Sequence, residues 1–65
     1  MSVKVTAKIW FRASDSNWIN EISLHIGDDV DYTGRTPYAT RELAKTFLKI
    51  DIVREIYEAF SLIEE

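Results

Sequence analysis

The stretch TRELAKTFLKIDIVREIYEAFSLI, Thr40 to Ile63, decides the fold, because no other segment is long and periodic enough to organise a core. It contains no Gly or Pro, and its Ala, Leu, Lys, Arg and Glu all favour helix. Residues set at intervals of about 100° place Leu43, Ala44, Phe47, Leu48 and Ile50 on one side. Arg41, Glu42, Lys45 and Lys49 hold the opposite side. After Asp51 the pattern inverts: Ile52, Val53, Ile56, Tyr57, Ala59, Phe60 and Ile63 take the side that was charged, and Asp51, Arg54, Glu55 and Glu58 the side that was apolar.

One straight helix does not bury two opposed stripes against one small sheet. Either the helix breaks at Ile50-Asp51, with Asp51 capping a second helix, or it runs on. In the second case its first half covers its own sheet and its second half packs on another chain. The lack of a breaker favours the continuous helix, over about residues 38–63. Thr36-Pro37 offers one N-cap and first-position pair, and Thr40-Arg41-Glu42 offers another, with an acid in the first turn.

Upstream the chain alternates. Val3, Val5, Ala7, Ile9, Phe11 and Ala13 share one face, and Lys4, Thr6, Lys8, Trp10 and Arg12 the other, which is the period of a half-buried strand. Ser14-Asp15-Ser16-Asn17 is a turn cluster. A second strand follows with Trp18, Ile22, Leu24 and Ile26 on one side and Asn20 as the polar exception there. The strands, about 3–13 and 18–27, form a hairpin. A turn centred between Asp15 and Ser16 sets Ile9 opposite Ile22, Ala7 opposite Leu24 and Val5 opposite Ile26. Residues 28–37 read as a loop in which Val30 to Thr33 offers a short third strand and Gly34 a turn at positive φ. The expected fold is α+β: an antiparallel β-hairpin, with or without that third strand, packed under one long C-terminal helix, as a single domain over residues 1–65.

At 65 residues, such a domain buries only ~60% of the surface its unfolded chain exposes. No Cys is present to add a disulfide or a thiolate metal site, and the lone His25 cannot build a site of His ligands. Association with another chain is the remaining reinforcement. The first residues carry no signal-peptide core and no stretch approaches the ~20 apolar residues of a membrane span, so a cytoplasmic protein is expected. Eleven acids against eight bases, a net charge of −3, argue against general affinity for nucleic acid.

Three local patterns invite a chemical reading. Asp29-Val30-Asp31-Tyr32-Thr33-Gly34 imitates the opening of a calcium loop, but Thr40 stands where the bidentate Glu belongs. Glu21, Ser23 and His25 supply triad residue types, but on one strand the outer pair lies ~12 Å apart, beyond mutual hydrogen bonding. Lys4, Lys8, Trp10, Arg12 and Ile19 share the outer hairpin face, where cations around an aromatic suit single-stranded nucleic acid or a protein partner. With no phosphate-binding glycine loop, the sequence points to no enzyme, no cofactor, no metal and no small-molecule substrate.

The expected function is a non-catalytic protein–protein interaction module. It acts as a homodimeric adaptor, modulator or inhibitor that occludes the surface of an unidentified protein. Its contact residues are Ile52, Val53, Ile56, Tyr57, Phe60 and Ile63. A nucleic-acid-binding protein using the Lys4, Lys8, Trp10, Arg12 face is the alternative.

Overall fold

A computed structural model describes residues 2–28 and 30–63. Three antiparallel strands, β1 (Val3–Arg12), β2 (Asn17–Ile26) and β3 (Val30–Tyr38), form one sheet in the order β1-β2-β3, and a single helix, α1 (Arg41–Ile63), packs on one face. This is the expected α+β arrangement with the third strand present.

β1 and β2 are joined by Ala13–Ser16. The Asp15 carboxylate fixes the corner, accepting hydrogen bonds from the Asn17 backbone N–H at 3.2 Å and from Arg12 Nε at 3.0 Å. Ile9 faces Asn20, Ala7 faces Ile22 and Val5 faces Leu24, two residues away from the expected register. The faces survive because the slip is even. Its cause is the turn: either common two-residue Asp15-Ser16 connection needs positive φ at Asp15, the first of the pair. Only Ser16 has it, at 58°.

Residues 28–37, expected as a loop, are strand over most of their length. β3 runs through Gly34 and Pro37, paired with β2 from Ile26↔Val30 to Trp18↔Tyr38. Pro is tolerated because β3 is an edge strand, where one side needs no N–H. Gly34 is extended rather than at a positive-φ turn, and Gly27, at φ 62°, makes the corner before β3. Thr36-Pro37 therefore belongs to the sheet. The helix is capped by Thr40, whose Oγ1 accepts from the Leu43 N–H at 3.2 Å.

α1 is unbroken through Asp51. Its inward line is Ala44, Leu48, Asp51, Glu55 and Ala59, spaced four, three, four and four residues apart; all are buried except Leu48, which packs partly buried against the core. Small Ala44 and Ala59 let the helix approach the sheet, over a core of Ile22, Leu24 and Ile26. Burial of each such aliphatic side chain contributes ~1.5–3 kcal/mol. The expectation that Leu43, Phe47 and Ile50 cover the hairpin is corrected, since all three are exposed. The inward line falls between the two apolar stripes, so each stripe is tipped to a flank. No helix among the described residues is long and apolar enough to cross a membrane.

Candidate functional site

Asp51 and Glu55 occupy the middle of the helix–sheet interface, one turn apart. Asp51, 1% exposed, accepts from Asn20 Nδ2 at 2.9 Å and from the Tyr38 hydroxyl at 2.6 Å, and its other oxygen lies 3.1 Å from Arg54 Nη2. Asn20 also donates to the Ala44 carbonyl at 2.8 Å. Arg54 reaches the Thr36 hydroxyl at 2.7 Å. Burial and the Asp51 carboxylate push the Tyr38 phenol up to about 12. Tyr32 rises to about 12 as well, through the neighbouring Glu55 carboxylate, burial, and its 3.1 Å hydrogen bond to Glu58. The Glu55 carboxylate lies over Gly34: a Cβ there would stand 1.9 Å from Glu55 Oε2. Gly34 thus serves close approach in place of a turn. The polar exception Asn20 on β2 and the acids at i and i+4 on the helix were the sequence signal for this seam, legible only when taken together.

The seam fixes what the helix leaves open. Phe47 stacks on Tyr38 with ring centroids 5.8 Å apart, Arg54 holds Thr36 and Glu58 holds Tyr32, so this flank of α1 faces β3. Ile52, Ile56 and Phe60 lie on the other flank, toward β1, partly buried against the core. Directly away from the sheet stand Ile50, Val53 and Tyr57, at 61%, 68% and 75% exposure. Val53, Ile56, Tyr57 and Phe60 line one shallow groove, and Lys49, Ile50, Val53, Arg54 and Tyr57 another. The six expected contact residues therefore divide. Val53 and Tyr57 are open, Ile52, Ile56 and Phe60 are shared between core and surface, and the side chain of Ile63 lies outside the described residues.

Because α1 sits over β2 and β3, the helix-side face of β1 is uncovered. Val3, Val5 and Phe11, expected in the core, are exposed, although Phe11 leans on Trp18 at 5.3 Å between centroids. With the helix flank and its outer face they make an apolar surface far larger than the sequence pattern implied.

The opposite face of the sheet is polar and largely self-satisfied. Glu21 lies 3.3 Å from Lys8 and 2.7 Å from Arg35, and the Arg35 hydrogen bond leads in holding its carboxyl below the usual range. Arg12 binds Asp15, which is lowered to about 2 mainly by that hydrogen bond. Ile19, with Trp10 and Pro37 as its cross-strand neighbours, is fully buried on this face. Lys4 pairs in register with His25, which contacts Asp31. Ser23 faces Thr33 at 3.3 Å, so Glu21, Ser23 and His25 each engage a neighbouring strand and not one another. Of the calcium-like segment, Asp29 lies outside the described residues and Val30 to Gly34 is strand. Among the described residues no group of three His, Cys, Asp or Glu could hold a metal ion. No protein-family model, curated protein or solved structure matches the chain.

Proposed function

We propose that this chain is a small non-catalytic interaction module that pairs with itself and occludes the surface of another protein, in the cytoplasm. The observation that supports it is the outer face of α1, where Ile50, Val53 and Tyr57 stand exposed at one-turn spacing and continue through Phe60 toward the open face of β1. A long aliphatic–aromatic stripe on so small a chain is the kind of surface that proteins cover with a partner. Aromatic and aliphatic anchors at its centre suit a contact core. On the sheet's other face the pairing of Lys8 and Arg12 with Glu21 and Asp15 leaves less charge for phosphate, which favours a protein partner over nucleic acid.

The test compares wild type with Val53→Asp and Tyr57→Asp by affinity capture and native mass spectrometry from extracts of the source cells. Both sites point to solvent, so thermal stability should hold while a stoichiometric partner is lost. Capture of the same partner by all three proteins, or binding of single-stranded DNA at low salt in its place, overturns the reading.

A further inference from the structure

β1 is a ten-residue edge strand without Gly or Pro, and the helix leaves its inner face uncovered. Both conditions favour addition of another strand. The other edge differs: β3 contains Pro37, which has no N–H to give, and its inward Tyr32, Thr36 and Tyr38 are bonded to helix side chains. We propose that two copies of this chain join β1 to β1, antiparallel about a two-fold axis at Ala7, giving a continuous six-stranded sheet. The proposal deepens the reading of the chain as a self-pairing interaction module, and it leaves the outer face of α1 free for the target.

The residue order of β1 selects the axis. Centred on Thr6, the pairing would set Lys4 against Lys8. Centred on Lys8, it would set Lys8 against itself and Lys4 against Arg12. Like charges directly opposite one another are destabilising in a sheet. Centred on Ala7, each cation meets a neutral side chain, with Lys4 facing Trp10 and Thr6 facing Lys8 across the junction. Lys4 beside the Trp10 ring is a favourable cation–aromatic neighbour. On the inner face Val3 meets Phe11 and Val5 meets Ile9, and the small Ala7 sits on the axis. The lysines disfavour the two neighbouring registers, and of the centres that oppose no like charges Ala7 pairs the longest stretch, Val3 to Phe11.

Pairing in this register brings the exposed Val3, Val5 and Phe11 of the two copies together, between the two helices. The flanks that carry Ile52, Ile56 and Phe60 then face one another across this apolar floor. A contact of this kind is isologous and closes, so it ends at the dimer.

The chain lacks cysteine, so single introduced thiols report the register without background. Ala7→Cys places its thiols opposite one another, with Cβ atoms ~4.5–5.5 Å apart, whereas Lys8→Cys leaves its pair on the diagonal at ~7–8 Å. We expect wild type to sediment as a dimer in the micromolar range. Mild oxidation should trap the dimer in Ala7→Cys and not in Lys8→Cys. Ala7→Asp sets two carboxylates face to face and should weaken the dimer by roughly tenfold or more at low salt, about 1.4 kcal/mol. High salt should restore it, with the far-ultraviolet dichroism of a folded chain throughout. A wild type that remains monomeric across that range overturns the pairing. So does a dimer trapped by Tyr57→Cys but not by Ala7→Cys. That result moves the self-contact to the helix while the interaction-module reading stands.

Discussion

Asp51→Ala is the substitution that most directly probes how the helix sits. Were Asp51 a solvated helix residue, its removal would cost less than ~0.5 kcal/mol, as at ordinary surface sites. In the structure it is 1% exposed and accepts from Asn20 at 2.9 Å and Tyr38 at 2.6 Å. Hydrogen bonds to a charged group contribute ~1.5–3 kcal/mol each, so the two together amount to ~3–6 kcal/mol. Relief of carboxylate desolvation offsets part of this, and the half-exposed Arg54 keeps its bond to Thr36, so its share is discounted. A net loss of about 3 kcal/mol remains, against a total stability of ~3–10 kcal/mol for a chain of this length. At ~4–8 °C per kcal/mol, the melting point should fall by ~12–24 °C. Urea and thermal unfolding followed by tryptophan fluorescence measure this. Tyr38→Phe should cost ~1–2 kcal/mol alone and much less in the Asp51→Ala background. A loss under ~0.5 kcal/mol for Asp51→Ala, or full additivity with Tyr38→Phe, refutes the buried seam.

Gly34→Ala should destabilise by ~1–3 kcal/mol, although a strand glycine replaced by alanine ordinarily gains ~0.5–1 kcal/mol, because the new Cβ would lie 1.9 Å from Glu55 Oε2; in a Glu55→Ala background the sign should reverse, as read by urea midpoints. Asp15, held at about 2 against 3.8 unperturbed, contributes stability that is complete above the unfolded value and disappears as pH falls through about 2. Arg12→Gln should return its carboxyl titration, followed by NMR, toward 3.8, and an unchanged titration contradicts the pairing. Tyr32 and Tyr38, both raised to about 12 from 10.0, contribute stability that is whole below pH 10 and is lost as pH rises through about 12; phenolate absorbance and unfolding should change together there, and Tyr38→Phe should blunt the effect.

The hairpin and the helix were legible because their signals are local: strict alternation from Val3 to Arg12, and an uninterrupted run of helix formers after Thr40. β3 was obscured by Gly34 and Pro37, both ordinary breakers. In this fold the first makes room for Glu55 and the second sits at an edge that needs no donor. The orientation of α1 was obscured for a different reason. Periodicity assumes that the inward line is apolar, and here Asp51 and Glu55 occupy its centre. Asp51 is met there by Asn20 and Tyr38, and Glu55 lies over Gly34, all residues far off in the chain, which a helical wheel does not contain. The uncovered face of β1 follows from the same cause, since apolar alternation marks a face without showing how much of it a single helix reaches.

A polar seam between two apolar stripes should act as a pin. With apolar residues at its centre, α1 could roll toward either stripe, covering Leu43, Phe47 and Ile50 or burying Ile52, Ile56 and Phe60 more deeply over β1. Asn20 and Asp51 bond in only one orientation. Replacing both, as Asn20→Leu with Asp51→Leu, removes the buried donor and acceptor together and leaves the partly exposed Tyr38 hydroxyl to water. Exchanges of this type are often neutral or stabilising by ~1–4 kcal/mol, unlike loss of one partner. The double variant should therefore match or exceed wild type in urea, in contrast to Asp51→Ala. It should also lose uniqueness, visible as broadened amide resonances along α1 and as altered protection of the β1 amides, because the exposed ties that remain, Arg54 to Thr36 and Glu58 to Tyr32, select the roll angle only weakly. Sharp, wild-type-like spectra at equal stability would show that packing alone sets the angle. A double variant as unstable as Asp51→Ala would show that the site rejects two leucines on volume, whatever their polarity.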